Sequence, residues 1–336
     1  MTRQGTLHGC SSTGTLRLSS YNQVAYLDGA IASVLTQTLD SLELIIVDNG
    51  STDGSHELLR KYTADPRIRL MLHDRNEAVT RRLNGAIASA TGDFVSILYA
   101  DDYYLPDKLA RQLAAFDSLP LDYGVVYSPC YREDARTGER WTDPTLKRSG
   151  SVLKDMFALH FSEGFINPIS TLIRRDCFAR CPFHEDVFVE GESIFLRLAV
   201  TYKFWYVDEP LAVMREHATN MGKAIKKNTA VAVDLLDRLP QEPGFPAGLL
   251  PDLRAFRATL LGNCGWLGIR MAEDPEWARA CVMAAYRTRR TQLLGPRAAA
   301  ALALSACPVS MIRVFNRMMT RIRRNKETVA FKEDYR

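Results

Sequence analysis

Two adjacent carboxylates, Asp101 and Asp102, follow directly on the mostly apolar segment 94–100. Short apolar segments that end at turn residues are typical of buried strands. A parallel sheet carries whatever follows its strands to the carboxyl edge, where open α/β sheets bind ligands. Because neighbouring carboxylates repel each other, they gain stability from a divalent cation that takes oxygen ligands. The pair therefore predicts a Mg²⁺ or Mn²⁺ site, and a solvated acidic loop is the alternative.

Another acid, Asp48, ends the clearest predicted strand, which covers residues 42–47. A polar turn follows over residues 49–54, and Leu58 and Leu59 belong to a predicted helix after it. A strand that ends on an acid and is followed by a turn and a helix is typical of the nucleotide-binding half of an α/β fold. Capping of that helix is the alternative role for Asp48. Because Asp48 lies too early for a cap, at the end of the strand, we expect it to contact a ligand.

The alternation of strands and helices predicts the fold class. Four strands alternate with helices in the first 130 residues, which indicates an α/β fold with a mostly parallel sheet. Residues 131–150 are polar and basic and predict a surface loop. We expect an irregular N-terminus over residues 1–15, one α/β domain over residues 16–222 and an α-helical region over residues 223–336.

Net charge, cysteine spacing and the lengths of apolar runs argue against several classes of protein. The 336 residues carry a net charge of +4, which is too small to indicate nucleic acid as a partner. Seven scattered cysteines lack the spacing of a zinc site and indicate reduced thiols. The sequence has no apolar run long enough to span a bilayer, and residues 1–15 lack the apolar core of a signal peptide. These features predict a cytoplasmic protein.

The segment 309–326 is basic and amphipathic. Its apolar residues Ile312, Phe315, Met319 and Ile322 fall on one helical face. The rest of the helix carries charge without any acid, at Arg313, Arg317, Arg321, Arg324 and Lys326. Such a helix suits an anionic membrane surface and predicts peripheral attachment to the inner face of the cytoplasmic membrane. Packing of the apolar face on the protein's own helices is the alternative, and the sequence leaves both open.

Taken together, several motifs resemble the family 2 glycosyltransferases, which have the GT-A fold. The resemblance covers roughly residues 16–220, and the order and spacing of the set are far more specific than any single piece. The motifs are Ser20-Tyr21-Asn22, Ile46-Val47-Asp48-Asn49-Gly50-Ser51-Thr52-Asp53, Asn76-Glu77-Ala78-Val79-Thr80, Asn84-Gly85, Ala100-Asp101-Asp102, Ile173-Arg174-Arg175, Phe183-His184-Glu185, Glu190 with Leu196-Arg197-Leu198, and Arg215-Glu216-His217.

The resemblance implies an inverting transfer from a nucleotide-diphosphate sugar, most commonly a UDP-sugar in this family, to an acceptor hydroxyl. With the basic C-terminal helix it indicates a glycan or lipid-linked acceptor in cell-surface polysaccharide synthesis. It implies Mn²⁺ or Mg²⁺ at Asp102 and His217, and diphosphate at Arg215. The implied nucleotide contacts are Ser19, Ser20, Tyr21, Asp48, Asn76, Arg81 and Asp101.

The sequence departs from the family pattern at two places. The first strand is poor in apolar residues and contains Arg17. The family also has Glu-Asp shortly before the helix arginine, with the Asp as general base, whereas here Glu190 is followed by Gly191. A base must come within about 3 Å of the acceptor hydroxyl, which a glycine cannot do. We predict that Glu190 or Glu192 takes the proton, and we favour Glu192 because Gly191 lets the backbone shift.

Other classes of protein fit less well. A phosphohydrolase of the haloacid-dehalogenase kind needs a second acid two residues after its nucleophile, where this chain has Gly50. Dehydrogenases and nucleotidyltransferases need a glycine-rich loop after the first strand, and Ser20-Tyr21-Asn22 has no glycine. The non-enzymatic alternative is a glycosyltransferase-like protein that binds a nucleotide sugar or a partner enzyme without turnover, because Gly191 stands where the base is expected.

Overall fold

The computed structural model describes residues 14–39, 41–218, 220, 223–289 and 295–320. The chain forms two compact units, one of residues 1–220 with 239–246 and the other of residues 221–238 with 247–336. Among the described residues, no helix is both long enough and apolar enough to cross a membrane.

The first unit alternates strands with helices, as the sequence predicts. Its strands are β1 (Gly14–Ser20), β2 (Leu42–Asp48), β3 (Ile68–Leu72), β4 (Phe94–Tyr99), β5 (Tyr103–Tyr104), β6 (Tyr123–Tyr127), β7 (Cys130–Asp134), β8 (Arg140–Thr142), β9 (Thr171–Arg174), β10 (Lys203–Tyr206) and β11 (Ala212–Glu216). Its helices are α1 (Val24–Leu35), α2 (Ser55–Arg60), α3 (Val79–Ser89), α4 (Lys108–Asp117), α5 (Leu153–Glu163), α6 (Arg175–Arg180) and α7 (Ser193–Thr201).

Seven strands form the main sheet in the order β10-β6-β9-β4-β1-β2-β3. The strands β4, β1, β2 and β3 run parallel, β10 runs parallel to β6, and β9 is antiparallel to both of its neighbours. Leu16 and Leu18 of β1 pack with Leu27 and Ile31 of α1 in the largest core cluster. The predicted α/β fold with a mostly parallel sheet is confirmed.

A second, four-stranded sheet has the order β5-β11-β7-β8. Its strand β5 begins directly after Asp102, and β11 pairs with β5 and with β7. The prediction of a surface loop over residues 131–150 is therefore wrong for much of that segment, since it supplies β7 and β8. Asp143, Thr145 and Leu146 of the same segment are buried. Its polar composition reflects a sheet whose side chains form ion pairs rather than an apolar core.

The second unit is helical throughout its described residues. Its helices are α8 (Ile225–Arg238), α9 (Leu250–Leu267), α10 (Pro275–Thr288), α11 (Pro296–Leu304) and α12, which begins at residue 309 and is described to residue 320. A stretch of π-helix, Gly268–Ala272, extends α9. Its core cluster includes Ile269, Ala278, Val282 and Ala301, so this unit has a small apolar core of its own.

Arg17 lies in the middle of β1 with 1% of its surface exposed. The strand forms despite this residue, because β1 pairs with β2 on one side and β4 on the other along its whole length. All three guanidinium nitrogens are buried without a hydrogen-bond partner among the described residues. Burial lowers the pKa of Arg17 to about 9, so the group remains charged at neutral pH. An unpaired buried charge is costly and destabilises the folded state.

Replacing the buried guanidinium by an apolar chain of similar length should stabilise the protein. For Arg17→Met we expect a gain of about 1–4 kcal/mol in the free energy of unfolding, which is the range for apolar replacement of buried charges. The measurement is the midpoint of thermal or urea unfolding. The exposed Arg60→Met on α2 is the control, and its midpoint should be unchanged. A fall in the midpoint of Arg17→Met would mean that buried water or another group satisfies the guanidinium.

Candidate active site

The carboxyl ends of β1, β2 and β4 lie side by side at one edge of the main sheet. The register pairs Ser20 with Asp48 and Ser19 with Tyr99. Beyond the strands, the backbone N–H of Ala100 donates to the carbonyl of Ser19 at 2.9 Å. Since β1 lies between β2 and β4, the strand order changes direction here, and such a switch point is where open α/β sheets bind ligands. The predicted nucleotide residues of β1 therefore stand beside the two predicted acidic positions.

The carboxylate of Asp48 is fully buried and organises the turn that follows β2. It accepts hydrogen bonds from the N–H of Gly50 at 3.1 Å, the N–H of Ser51 at 2.8 Å and the Ser51 hydroxyl at 2.7 Å. Nε2 of His56 lies 2.7 Å from the same carboxylate. These contacts hold the carboxylate within its own turn, and the predicted contact of Asp48 with a ligand stays a prediction. Asp48 does not cap α2, whose N-cap residue is Gly54.

Asn49 connects the end of β2 with the segment that precedes α3. Its amide nitrogen donates to Oδ1 of Asn76 and to the carbonyl of Glu77, each at 2.8 Å, and its amide oxygen accepts from Arg82 at 3.2 Å. Asn76 is thereby held beside the turn that follows β2, and its contact with a nucleotide stays a prediction. Arg81 is different, because its side chain is exposed and reaches only loose ion pairs, such as the one with Glu77 at 3.8 Å.

The residues at the end of β1 and directly after it differ in their exposure to solvent. Tyr21 is exposed and Ser19 is half-buried, whereas Ser20 is buried. The hydroxyl of Ser20 has no hydrogen-bond partner among the described residues. Buried polar groups are normally satisfied, so an unpaired hydroxyl beside a ligand edge is a group that water or a ligand can satisfy.

The two carboxylates that follow β4 are held by β11. Oδ1 of Asp102 accepts from the backbone N–H of Arg215 at 2.9 Å, and Oδ2 of Asp101 lies 3.0 Å from Nε2 of His217. The Arg215 guanidinium also donates to the backbone carbonyl of Asp101 at 3.0 Å. Four residues that the sequence assigns to metal, nucleotide and diphosphate therefore meet at one place, although more than a hundred positions separate the two pairs in the chain.

Aromatic rings fix the two basic side chains. The Arg215 guanidinium lies 4.4 Å from the centroid of the Tyr103 ring and 5.6 Å from that of Tyr26. The Tyr26 ring also stacks on His217, with centroids 5.3 Å apart. On its other side, Arg215 approaches Glu133 at 3.6 Å. A guanidinium held between rings and a carboxylate keeps its charge and its direction, which is useful for recognising an anion.

Asp102 is 3% exposed, and its environment disfavours a bare negative charge. Burial, and then the neighbouring Asp101 carboxylate, raise the pKa of Asp102 well above its usual range. Among the described residues, no three His, Cys, Asp or Glu side chains form a complete ligand cluster for a metal. A buried carboxylate beside a second carboxylate and a histidine nevertheless fits Mn²⁺ or Mg²⁺, since these ions commonly take one or two protein carboxylates and complete their shell with substrate phosphates and water.

Glu190 is an internal ion-pair partner. Its carboxylate accepts from Arg197 at 3.0 Å and from the backbone N–H of His184 at 2.9 Å, and its side chain is fully buried. Arg197 also donates to Glu242 at 2.6 Å. These contacts fix the segment before α7 and favour Glu192 over Glu190 as the candidate base, and the assignment stays a prediction.

Glu192 is in the opposite situation, with 42% of its side chain exposed. Protein around the carboxylate, and then the charge of Asp143, raise the pKa of Glu192 to about 7. Water that reaches the side chain screens both effects, so the upward direction of the shift matters more than its size. Nε2 of His160 lies 3.9 Å away, and burial lowers the pKa of His160 to about 4, so this imidazole is neutral at pH 7.

Gly191 has a left-handed backbone with φ of +58°. A Cβ atom built at this position would meet no other atom within 4 Å. The glycine is therefore not required by crowding, and Asp or Asn tolerates such a backbone conformation better than most residues do. The chain lacks a carboxylate here although space for one exists.

Asp143 lies between Cys130 and Arg132. Its Oδ2 is 3.8 Å from the Cys130 Sγ, and its carboxylate accepts a hydrogen bond from Arg132 at 2.6 Å. Arg132 also forms an ion pair with Glu216, next to Arg215 on β11. The charge of Asp143 also contributes to the raised pKa of Glu192.

Several residues of the site carried no signal strong enough to find from sequence. Tyr26 lies on an ordinary amphipathic helix, and Glu133, Arg132 and Asp143 belong to the segment that was predicted as a loop. Tyr103 is adjacent to Asp102, so its position next to the acidic pair is the one available hint. Their partners are distant in the chain, and neither periodicity nor spacing predicts those pairs.

Comparison with known proteins agrees with this site. Residues 18–181 match the family model described as glycosyl transferase family 2. An uncharacterized glycosyltransferase of Nostoc sp. is 36% identical over 102 residues, which is 30% of this chain and 32% of the relative. The Bacillus subtilis glycosyltransferase TuaG, whose name assigns it provisionally to teichuronic acid biosynthesis, is 38% identical over 95 residues, or 28% of this chain and 38% of the relative. The matched segment thus spans roughly a third of either relative.

Two solved structures share the fold at low sequence identity. TarS 1–349 from S. aureus, in complex with UDP-GlcNAc, aligns with a TM-score of 0.53 and 14% identity over 82% of this chain and 89% of TarS 1–349. The mannosyltransferase PcManGT from Pyrobaculum calidifontis, in complex with GDP-Man and Mn²⁺, aligns with a TM-score of 0.58 and 19% identity over 92% of this chain and 84% of PcManGT. These alignments, which cover most of this chain, show the GT-A fold. Residues 18–181, just under half of the chain, resemble the glycosyl transferase family 2 domain.

The buried carboxylate pair gives a testable dependence of stability on pH. An acid whose pKa is raised by folding destabilises the protein as pH rises from its unfolded value, near 4, through its folded value. Asp102→Asn removes that penalty and keeps an acceptor for the N–H of Arg215. We expect the variant to unfold at a higher temperature than the wild type at pH 8, and the difference to shrink towards pH 4.

The exposed Asp117→Asn on α4 is the control, and it should show no such pH-dependent difference. Differential scanning fluorimetry in metal-free buffer measures both variants. An Asp102→Asn protein that is no more stable than the wild type at pH 8 would contradict the account of Asp102 as a strained buried charge.

Proposed function

We propose that the protein is a metal-dependent inverting glycosyltransferase that moves a sugar from a nucleotide-diphosphate sugar to a hydroxyl of a glycan or lipid-linked acceptor. The observation that carries the proposal is the meeting of Asp101 and Asp102 with Arg215 and His217 at the switch point of the sheet. A nucleotide edge, a site for a divalent cation and a fixed arginine are the three parts that donor binding requires.

The donor half of the site divides into two parts. The nucleoside lies along the ends of β1 and β2, where Ser19, Ser20, Tyr21 and Asn76 offer polar groups. Asp48 contributes by shaping the turn, and Arg81 is exposed and free to move towards a bound nucleotide. The complexes of TarS with UDP-GlcNAc and of PcManGT with GDP-Man support a nucleotide sugar as the ligand of this fold. We take UDP-sugars as the first donors to test.

A divalent cation belongs to the diphosphate part. Asp102 and His217 would hold Mn²⁺ or Mg²⁺, with Asp101 shared between the cation and the ribose. When bound, the cation neutralises the charge that develops on the departing diphosphate. Arg215, fixed between Tyr26 and Tyr103, adds a second positive charge on the same side. The complex of PcManGT with Mn²⁺ supports a metal in this fold.

Glu192 is the general base in this proposal. The acceptor hydroxyl oxygen forms a bond to the anomeric carbon, the bond from that carbon to the diphosphate oxygen breaks, and the hydroxyl proton moves to the Glu192 carboxylate. A base with a pKa raised towards 7 is well matched to this task, because it accepts a proton more strongly than an ordinary glutamate. The side chain of Glu192 is 42% exposed and therefore accessible to an acceptor, whereas the side chain of Glu190 is buried.

The biological setting follows from the relatives and the charge of the chain. The name of TuaG refers to a cell-surface polymer, which supports cell-surface polysaccharide synthesis as the setting. The lack of a carboxylate at Gly191 favours a second candidate, a protein that binds a nucleotide sugar or a partner enzyme without turnover. The two candidates agree on donor binding and differ on catalysis.

Donor binding can be tested by thermal shift with UDP, GDP and dTDP and their common sugars, with and without Mn²⁺. We expect one nucleotide to raise the melting temperature, more strongly with Mn²⁺ present, because ligand bound only to the folded state stabilises it. In Asp102→Asn the extra shift from Mn²⁺ should disappear, while Asp117→Asn should retain it. The wild type failing to respond to any nucleotide would refute the proposed function. Binding without release of nucleoside diphosphate, even with acceptors supplied, would favour the second candidate.

Turnover should depend on Glu192 and on its ionisation. Glu192→Gln should lower kcat by about 10²–10⁴-fold with little effect on donor binding, which is the usual contribution of a general base. Because the base must be ionised, kcat/KM of the wild type should already fall at a pH above the roughly 4–5 at which an ordinary glutamate would place this fall.

A rescue experiment tests the same assignment by placing a carboxylate at position 191, next to Glu192. Gly191→Asp, introduced into Glu192→Gln, should recover part of the lost turnover, since the position has room for a side chain. Glu190→Gln should instead lower the melting temperature, because it breaks the pair with Arg197. Full activity in Glu192→Gln would eliminate Glu192 as the base.

A further inference from the structure

The apolar face that the sequence assigns to α12 is occupied inside the second unit. Ile312 is completely buried and joins the core cluster of Ile269, Ala278 and Ala301. Phe315 is half-buried against Trp266, with ring centroids 6.4 Å apart. Of the two alternatives for this face, the structure therefore supports packing on the protein's own helices. Ile322 and the basic residues from 321 onwards lie outside the described residues.

A different apolar stripe of α12 is left exposed. Met311, Val314 and Met318 are 59%, 64% and 53% exposed, and their spacing of three and four residues places them on one side of the helix. Removing long apolar side chains from water is favourable. Three of them together on one helix face form a patch of the kind that marks an interaction surface.

The charged residues of α12 beside this stripe are basic. Arg313 and Arg317 are exposed on the side of α12 next to the stripe, and Arg313 reaches Glu273 at 2.9 Å. The sequence from residue 309 to residue 326 contains six arginines and lysines and no aspartate or glutamate. A protein partner would need a complementary acidic rim of its own, whereas an anionic lipid surface supplies both an apolar layer and phosphates at a fixed height above it.

We propose that the stripe of Met311, Val314 and Met318, flanked by Arg313 and Arg317, docks the protein on an anionic membrane surface. The three apolar side chains enter the boundary between headgroups and acyl chains, and the arginines contact lipid phosphates. The buried face of Ile312 stays in the core, so docking needs no unfolding of the second unit. The surface is independent of the proposed transfer reaction, because none of its residues belongs to the nucleotide edge.

The test is flotation of the full chain with vesicles of phosphatidylglycerol and phosphatidylcholine, compared with vesicles of phosphatidylcholine alone. We expect binding to the anionic vesicles that weakens as salt is raised, since the arginine contribution is screened. The triple variant Met311→Ser, Val314→Ser and Met318→Ser should lose roughly tenfold or more in partitioning. Arg313→Gln with Arg317→Gln should lose roughly an order of magnitude as well.

The control replaces other exposed apolar residues of the same unit. Met271→Ser with Met283→Ser should bind vesicles as the wild type does. All variants change exposed side chains, so their melting temperatures should match the wild type and show that they are folded. Equal binding to neutral and anionic vesicles, or unchanged binding by the triple variant, overturns the proposal. Loss of a dimer in light scattering with vesicle binding unchanged would instead assign the stripe to a second copy of the chain. The nucleotide thermal shift, made without lipid, reports on the transferase proposal separately.

Discussion

Two negative charges held side by side at the end of β4 are the constraint on which the site depends. Water can barely reach Asp102, so the protein must supply what solvent would otherwise provide. The backbone N–H of Arg215, on β11, donates to Asp102, while the Arg215 guanidinium and the imidazole of His217 contact the neighbouring Asp101. The second sheet is best understood through this requirement, since β5 starts directly after the acidic pair and β11 lies against it. These contacts leave negative charge on the pair of carboxylates, and a bound cation would balance it.

The scaffold of this site could be predicted from the sequence because its signals are local. Apolar runs that end on an acid predicted β2 and β4, and helical spacing predicted α1 and α4. The sheet edge where Ser19, Asp48 and Asp101 meet followed from this topology. The contacts of Asp48 inside its own turn did not follow. Gly50 and Ser51 donate hydrogen bonds to its buried carboxylate, and a sequence alone does not reveal such local bonds.

The parts that sequence reasoning missed depend on long-range pairs. Arg132 meets Glu216 across 84 positions, and Arg132 lies in the segment whose polar composition predicted a loop. Glu190 and Glu192 are only two residues apart, yet Glu190 is buried and paired with Arg197 whereas 42% of the Glu192 side chain is exposed. Arg17 shows the reverse case, because a charged residue that argues against a strand is carried into the core by pairing on both sides.

The partner of Arg197 has a consequence for how the chain can be divided. Glu242, which binds Arg197 at 2.6 Å, belongs to the first unit, although α8 of the second unit precedes it in the chain. The polypeptide thus leaves the first unit, returns to it over residues 239–246 and leaves it again. A fragment that stops at residue 220 would keep every strand of both sheets and still lack this carboxylate. The first unit is therefore discontinuous in the amino-acid sequence, and truncating the chain at a single position cannot isolate it intact.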